Sequence, residues 1–219
     1  MKIVAILQAR MGSTRLPGKS LLPLAGKPMV QNIIERVQRA TQVDEVWLAV
    51  PGYAEDEPLF HLTPNVFYGL GIGSSDLVSR YLLAAVHTSA DVVVRIPCDN
   101  PCVDPAYLDQ AVQTYLDQPH IYYSNTTANV KHLWVDGVGA EVFSRSRLVW
   151  LDRITRNNAV WREHPHKWFE EHHVYTLPPA DIHLDVNTEE DYHKIKALYE
   201  RFGHNRFTSE EIIELAWPK

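Results

Sequence analysis

Cysteine is scarce in this chain, with two residues, Cys98 and Cys102, in a length of 219. That excludes a disulfide framework and fits a reducing compartment. A lone C-x3-C pair also makes a poor thiolate zinc site, so both cysteines read as packing residues flanking Asp99. Long apolar runs are missing as well. No stretch approaches the roughly 20 residues of a membrane span, and Met1-Lys2 leads straight into an apolar segment without a leader pattern. The expectation is a protein that meets no membrane and works in the cytoplasm. An excess of positive charge is absent too, because 21 Lys and Arg face 27 Asp and Glu, for a net charge of −6. A nucleic-acid-coating surface needs the opposite balance. What is present is ordinary globular composition, 45% hydrophobic and 22% charged, in a chain long enough to bury a full core.

Against this acidic background three fixed cations gather near the N-terminus. The run MKIVAIL suits a buried strand of a parallel sheet. QARMGSTRLPGK follows, with Gly12, Gly18, Arg10, Arg15 and Lys19. A glycine-containing loop leaving a strand exposes backbone N–H groups, and Arg and Lys add charge-assisted donors, which together can hold a polyphosphate. The loop is neither a Walker A nor a G-x-G-x-x-G fingerprint. A solvated basic loop after an edge strand is the plainer alternative.

Strand and helix signals then alternate. Pro28 opens a helix with Met29, Val30, Ile33, Ile34 and Val37 on one face. Asp44 to Val50 reads as a strand, Asn65 to Gly69 as a short one, and Ser75-Asp76 as the cap of a helix through Leu77, Tyr81 and Leu82. Asp91 to Pro97 is a continuous apolar strand, and Asp104-Pro105 begins another helix. Beyond about residue 118 the rhythm loosens. It keeps a strand at Gly137 to Phe143, a helix through Leu148, Leu151 and Ile154, and a last strand at Ile182 to Val186. Thr188 with Asp191 forms a variant capping box, and Thr208 with Glu211 caps a final helix. The fold class is α/β, an open, mainly parallel sheet with helices on both faces and an elaborated C-terminal half. We expect one domain over 1–219.

In such sheets ligands bind beyond the carboxyl ends of the strands. Three strand ends carry polar groups: Gln8-Ala9-Arg10, Asp99-Asn100, and Asp185 with Asn187. Parallel strands would gather them on one side as phosphate-binding cations and metal-binding oxygens. Mg2+ suits one or two carboxylates plus phosphate oxygens and water, so Asp99, Asp185 and Asn187 are the candidate metal ligands. The plain readings are a turn aspartate at Asp99 and a helix-capping one at Asp185. Eleven histidines, among them His164, His166, His172, His173 and His183, show no zinc-ligand spacing. Trp134, Trp150, Trp161 and Trp168 read as core or subunit contact.

LQARMGSTRLPGK resembles the signature loop of the cytidylyltransferases that activate acidic sugars, the acylneuraminate and 3-deoxy-manno-octulosonate type. It is most similar to the spore-coat-polysaccharide branch. RIPCDNPCVDP (95–105), DGVGAEVFS (136–144), REH (162–164) and LDVNTEEDY (184–192) recur in the family's order. The resemblance implies a nucleotide-diphospho-sugar transferase fold, GT-A-like, with a nucleotide-binding half at 1–117 and an acceptor and homodimer half at 118–219. It implies Mg2+-dependent transfer of CMP from CTP to a small acidic acceptor, with release of pyrophosphate, for cell-surface polysaccharide. Arg15, Lys19 and Asp99 would be catalytic, with Leu7, Ala9, Arg10, Gly12, Ser13, Gly73, Ser75 and Arg80 around the nucleotide. The base would be read through the backbone of Leu7 to Arg10, with no side-chain signature. Arg80 could instead pair with Asp76 one turn earlier. Glu141, Arg162, Glu163 and His164 would face the acceptor. The sequence departs from the family at Asn187, where an aspartate is usual. A neutral residue there suits a phosphate or phosphonate acceptor, while the close resemblance suggests the hydroxyl of an acidic sugar. A GT-A-type glycosyltransferase and a nucleotide sensor without catalysis are the remaining alternatives.

Overall fold

Ile3 to Leu7, an unbroken apolar run rich in β-branched residues, is buried along its whole length and forms a central strand, as its composition dictates. The computed structural model describes residues 1–118, 122–124, 135–163, 171–173 and 182–216. In chain order the elements are β1 (Ile3–Gln8), β2 (Pro23–Leu24), β3 (Lys27–Pro28), α1 (Met29–Val37), β4 (Glu45–Val50) and β5 (Val66–Tyr68). Then come α2 (Leu77–His87), β6 (Val92–Pro97), α3 (Pro105–Asp117), β7 (Tyr122–Ser124), β8 (Val135–Asp136) and β9 (Glu141–Ser144). The chain continues with α4 (Arg145–Thr155), α5 (Ala159–Glu163), β10 (Glu171–His173), β11 (Ile182–His183), α6 (Glu189–Phe202) and α7 (Ser209–Ala216).

Among the described residues the main sheet has seven strands in the order β10-β7-β9-β6-β1-β4-β5. β1 pairs in parallel with both β4 and β6, so its C-terminal end lies beside theirs. β9 runs antiparallel to both β6 and β7 and makes the sheet mixed at that side. α1, α3, α6 and α7 bury their apolar stripes against one face, and α2 and α4 against the other. This is the doubly covered α/β architecture expected from the alternating pattern.

Helix starts follow side-chain caps. Asp76, Asp104 and Ser144 each accept a backbone N–H at the start of α2, α3 and α4. Thr188 and Asp191 close a reciprocal capping box on α6, and Thr208 with Glu211 does the same before α7.

Two expectations need correction. The strand expected at 137–143 begins at Glu141, because Gly137 adopts a φ of +85° and turns the chain first. The strand expected at 182–186 is ordered as β only at Ile182–His183, where it pairs with β8 outside the main sheet. Its next N–H groups go elsewhere: Leu184 donates to the Asp136 carbonyl and Val186 to the Asp99 carbonyl. At Gly137 a Cβ would lie 2.8 Å from the Asp185 nitrogen, so the close crossing of these two segments requires glycine. Among the described residues, no helix is long and apolar enough to cross a membrane.

Candidate active site

A cleft of about 230 Å³ opens at the C-terminal ends of β1 and β6. The loop after β1 forms one wall and folds back on itself. The Met11 carbonyl accepts from Ser13 and Gly18, and the Met11 N–H donates to the buried Asp56 carboxylate at 2.8 Å. Gly18, at φ +69°, then turns the chain into a short 3-10 helix over Lys19–Leu21. This turn aims Lys19 across the cleft.

The Lys19 ammonium lies 3.0 Å from Asp99 Oδ2 and 2.8 Å from the Val186 carbonyl. Arg15 donates to Asn187 Oδ1 at 2.6 Å, and the Asn187 amide nitrogen donates to the Asp185 carboxylate. Val186 is bonded to Asp99 through the backbone. The first loop, the end of β6 and the segment after β11 therefore meet at one point. They are joined by a crossing loop, where the sequence pattern suggested a third parallel strand.

The Asn187 carbonyl, expected as a metal donor, is held by Arg15. Its amide N–H has a partner that an aspartate could not serve, because Asp185 is itself a carboxylate. That explains asparagine here in physical terms. Burial, then the charges of Asp136 and Asp99, push the Asp185 carboxyl above the ordinary aspartate range. Asp136, Asp185 and His183 place one ligand atom each within 4.8 Å of one another. Two carboxylates and an imidazole thus crowd this edge, and Asp99 reaches Asp185 through its charge. The histidines were read as unrelated to metal chemistry, yet β11 brings His183 to this edge. Residues 164–170 lie outside the described residues, as do the side chains of His172 and His173.

At the other end of the cleft, Arg10 donates to the Ser74 carbonyl at 3.2 Å and stands 3.9 Å from Glu163. Arg80 is buried and its guanidinium donates to the same carbonyl at 2.6 Å, bracing the 73–75 loop. The Asp76 carboxylate pairs with Arg162, and only the Arg80 backbone N–H reaches Asp76, at its carbonyl. Burial lowers the pKa of Arg80 below the usual arginine value. Ala9, Ser13, Ser75 and Leu77 also line the space. Leu7 is fully buried behind it, and the exposed Gly12 and Gly73 stand at its margins without lining it.

Two residues expected at the acceptor are placed elsewhere. Glu141 is buried under the sheet and ion-paired with Arg95, its register partner on β6. Arg162 is buried between α2 and α4, 2.9 Å from Asp76 and 2.8 Å from Asp152. Burial disfavours its charge, but hydrogen bonds to Asp152 and Asp76 outweigh that and raise its pKa. Both arginine–carboxylate pairs answer the cost of burying charge. His164 lies outside the described residues. Conversely, Thr14, Ser20, Ser74 and Arg95 line the cleft and were not singled out from sequence, Leu77 and Cys98 line it though read as packing residues, and Gln8 lines it though named only as part of a polar strand end. Strand-end position was the available signal for Gln8 and Arg95. Trp150 and Trp161, expected in core or subunit contact, are 41% and 40% exposed in the chain alone.

This arrangement of cations, carboxylates and a strand-end loop has relatives. The cytidylyltransferase family profile matches residues 4–215. The chain belongs to the cytidylyltransferase family. It is 29% identical to the spore coat polysaccharide biosynthesis protein SpsF of Bacillus subtilis, over 97% of this chain and 93% of that one. It is 35% identical to a 3-deoxy-manno-octulosonate cytidylyltransferase of Trichlorobacter lovleyi, over 61% of this chain and 52% of that enzyme. A solved cytidylyltransferase from Leptospira borgpetersenii superposes with a TM-score of 0.84 at 29% identity, covering 98% of this chain and 93% of that one. A CMP-2-keto-3-deoxy-manno-octonic acid synthetase solved with CTP shares the fold, with a TM-score of 0.65 at 19% identity, over 92% of this chain and all of that one. Membership of this family takes the place of the glycosyltransferase alternative.

Proposed function

We propose that this cytidylyltransferase moves CMP from CTP to an acidic sugar for a cell-surface polysaccharide, releasing pyrophosphate. The observation that carries the reading is the convergence of Arg15, Lys19 and Asp99 at one end of a cleft, with Asp185 joined to Arg15 through Asn187, in a chain of this family. The acceptor hydroxyl gives up its proton to solvent as its oxygen bonds to the α-phosphorus, and the α–β phosphoanhydride bond breaks with its electron pair leaving on pyrophosphate. Charge develops on the departing pyrophosphate, and Arg15 and Lys19 are placed to neutralise it. Asp99 and Asp185 are the residues that would hold Mg2+, which when bound supplies charge stabilisation at the phosphates. Lys19 occupies Asp99 until the nucleotide arrives, so the ammonium has an anionic partner in either state. The nucleoside would lie toward Ser75, Arg80 and Arg10, with Glu163 at the acceptor side.

The acidic sugar is supported by the name of the 3-deoxy-manno-octulosonate enzyme, and the polysaccharide by that of SpsF. A homodimer fits the apolar residues left exposed on α2, α4 and α5, namely Leu83, Val86, Trp150, Ile154, Val160 and Trp161. The test is pyrophosphate release from CTP with Mg2+ and a panel of acidic sugars and sugar phosphates. Release with a free acidic sugar supports the proposal. Release with a sugar phosphate alone moves the acceptor to the phosphorylated class, and binding of CTP without release with any acceptor identifies a sensor.

A further inference from the structure

The floor of the cleft holds polar groups that the phosphate chemistry does not use. Strand alternation sends Gln8, two residues beyond buried Ile6, to the α2 face of the sheet, and sends Arg95 there beyond Val93. Ile6 and Arg95 are register neighbours, so Gln8 and Arg95 stand at adjoining strand ends, and both line the cleft. Arg95 is fixed from below by Glu141 and lies over the ring of buried Tyr81, 5.7 Å from its centroid. Gln8 Oε1 is buried, and no residue described donates a hydrogen bond to it.

A buried acceptor without a donor is uncommon and costly in a folded protein, and at a cleft it marks where a ligand's donor fits. Of the charged groups nearest this floor, Arg10, Arg80 and Arg95 are donors only. Glu141, beneath Arg95, is an acceptor whose Oε2 is also buried without a donor among the described residues, but Gln8 is the one of the two that lines the cleft. Glu163 stands with Arg10 at the rim. Guanidinium donors match the O2 carbonyl that cytosine and uracil share, whereas N3 accepts in cytosine and carries a hydrogen in uracil. The two bases differ where cytosine carries an exocyclic amine and uracil a carbonyl oxygen. Resting on the nucleotide reading above, we infer that the Gln8 carboxamide oxygen accepts from the cytosine amine and separates cytidine from uridine nucleotides. The base then has a side-chain reader within the Leu7 to Arg10 stretch, beside the backbone groups that the resemblance implies.

The experiment titrates CMP and UMP separately into the full chain and two variants, with thermal unfolding as the fold control. Gln8→Met keeps the side chain's length but has no acceptor. It lowers CMP affinity about tenfold and leaves UMP within about threefold, as expected when a site built around a hydrogen bond loses its partner. Gln8→Glu keeps an acceptor and sets a negative charge against the uracil carbonyl oxygen, so it retains CMP and weakens UMP. A folded Gln8→Met protein with the wild-type CMP-to-UMP ratio overturns the inference. So does a Gln8→Glu protein that binds UMP as well as wild type. A wild-type protein that binds CMP and UMP alike overturns it too, while leaving nucleotidyl transfer standing. A wild-type protein that binds no pyrimidine nucleotide overturns both readings.

Discussion

At one end of the cleft Arg15, Lys19, Asp99 and Asn187 pair with one another while still open to water: the Lys19 and Asp99 side chains keep 15% and 31% of their surface. Beneath and behind the other end Arg95, Glu141, Arg80 and Arg162 are almost wholly buried, held by carboxylates or loop carbonyls. Exposed ion pairs are worth little to stability and exchange partners cheaply. Buried ones are costly to break, because the surviving charge has no water to turn to. The first set can therefore give up its internal partners for phosphate oxygens. The second keeps its shape, as the proposed nucleoside end of the cleft requires.

The comparison breaks most visibly at the buried end. Glu141→Leu strands the buried Arg95 charge at the cleft floor and should cost about 3–5 kcal/mol, read as a fall in unfolding free energy in urea. The double variant Arg95→Met/Glu141→Leu should recover most of that loss. If the single variant is as stable as wild type, the pair is not the anchor described.

Asp99→Asn tests the open end. Its side chain is partly exposed, so the unfolding midpoint should barely move. Turnover of CTP should fall about a hundred-fold or more, since losing charge stabilisation at a phosphate site removes several kcal/mol. Retention of more than about a tenth of the activity contradicts the role of this carboxylate.

The smallest effect concerns Cys102, fully buried and with its thiol pushed up to about 12 by burial. Deprotonation requires a pH near that value, so at pH 8 the folded protein should hold Cys102 as an unreactive thiol. Site-resolved mass spectrometry after alkylation should find it modified only once the chain is unfolded. Rapid modification in the native state at pH 8 would show that the packing around α3 opens readily.

Much of the fold was legible because its signals are local. The apolar run of β1, the Asp104-Pro105 start of α3 and the Thr188–Asp191 box each depend on residues within a turn of one another. The site was legible in part for the same reason: Arg10, Arg15 and Lys19 lie in one loop and Asp99 at one strand end. Partners distant in sequence were not legible. Arg162 finds Asp76 from 86 positions away, and Arg95 finds Glu141 from 46, so an acceptor role for Arg162 and Glu141 could not be weighed against burial. Arg36 is hidden for the same reason, fully buried on α1 with its guanidinium donating to the Val103 and Phe207 carbonyls. The segment 182–186 alternates like a strand, but its N–H groups are taken by Asp136 and Asp99. A two-residue period cannot say which neighbour accepts.

The division of the cleft stands or falls on where the triphosphate tail lies. Titration of CTP and CMP into Lys19→Ala and wild-type protein, each with Mg2+, measures this directly. Loss of the Lys19 ammonium should weaken CTP about tenfold, the scale of one charge-assisted contact. CMP, which has no β- or γ-phosphate, should bind both proteins alike. Equal weakening of CTP and CMP in a folded variant would place Lys19 against the nucleoside or the α-phosphate and contradict the account.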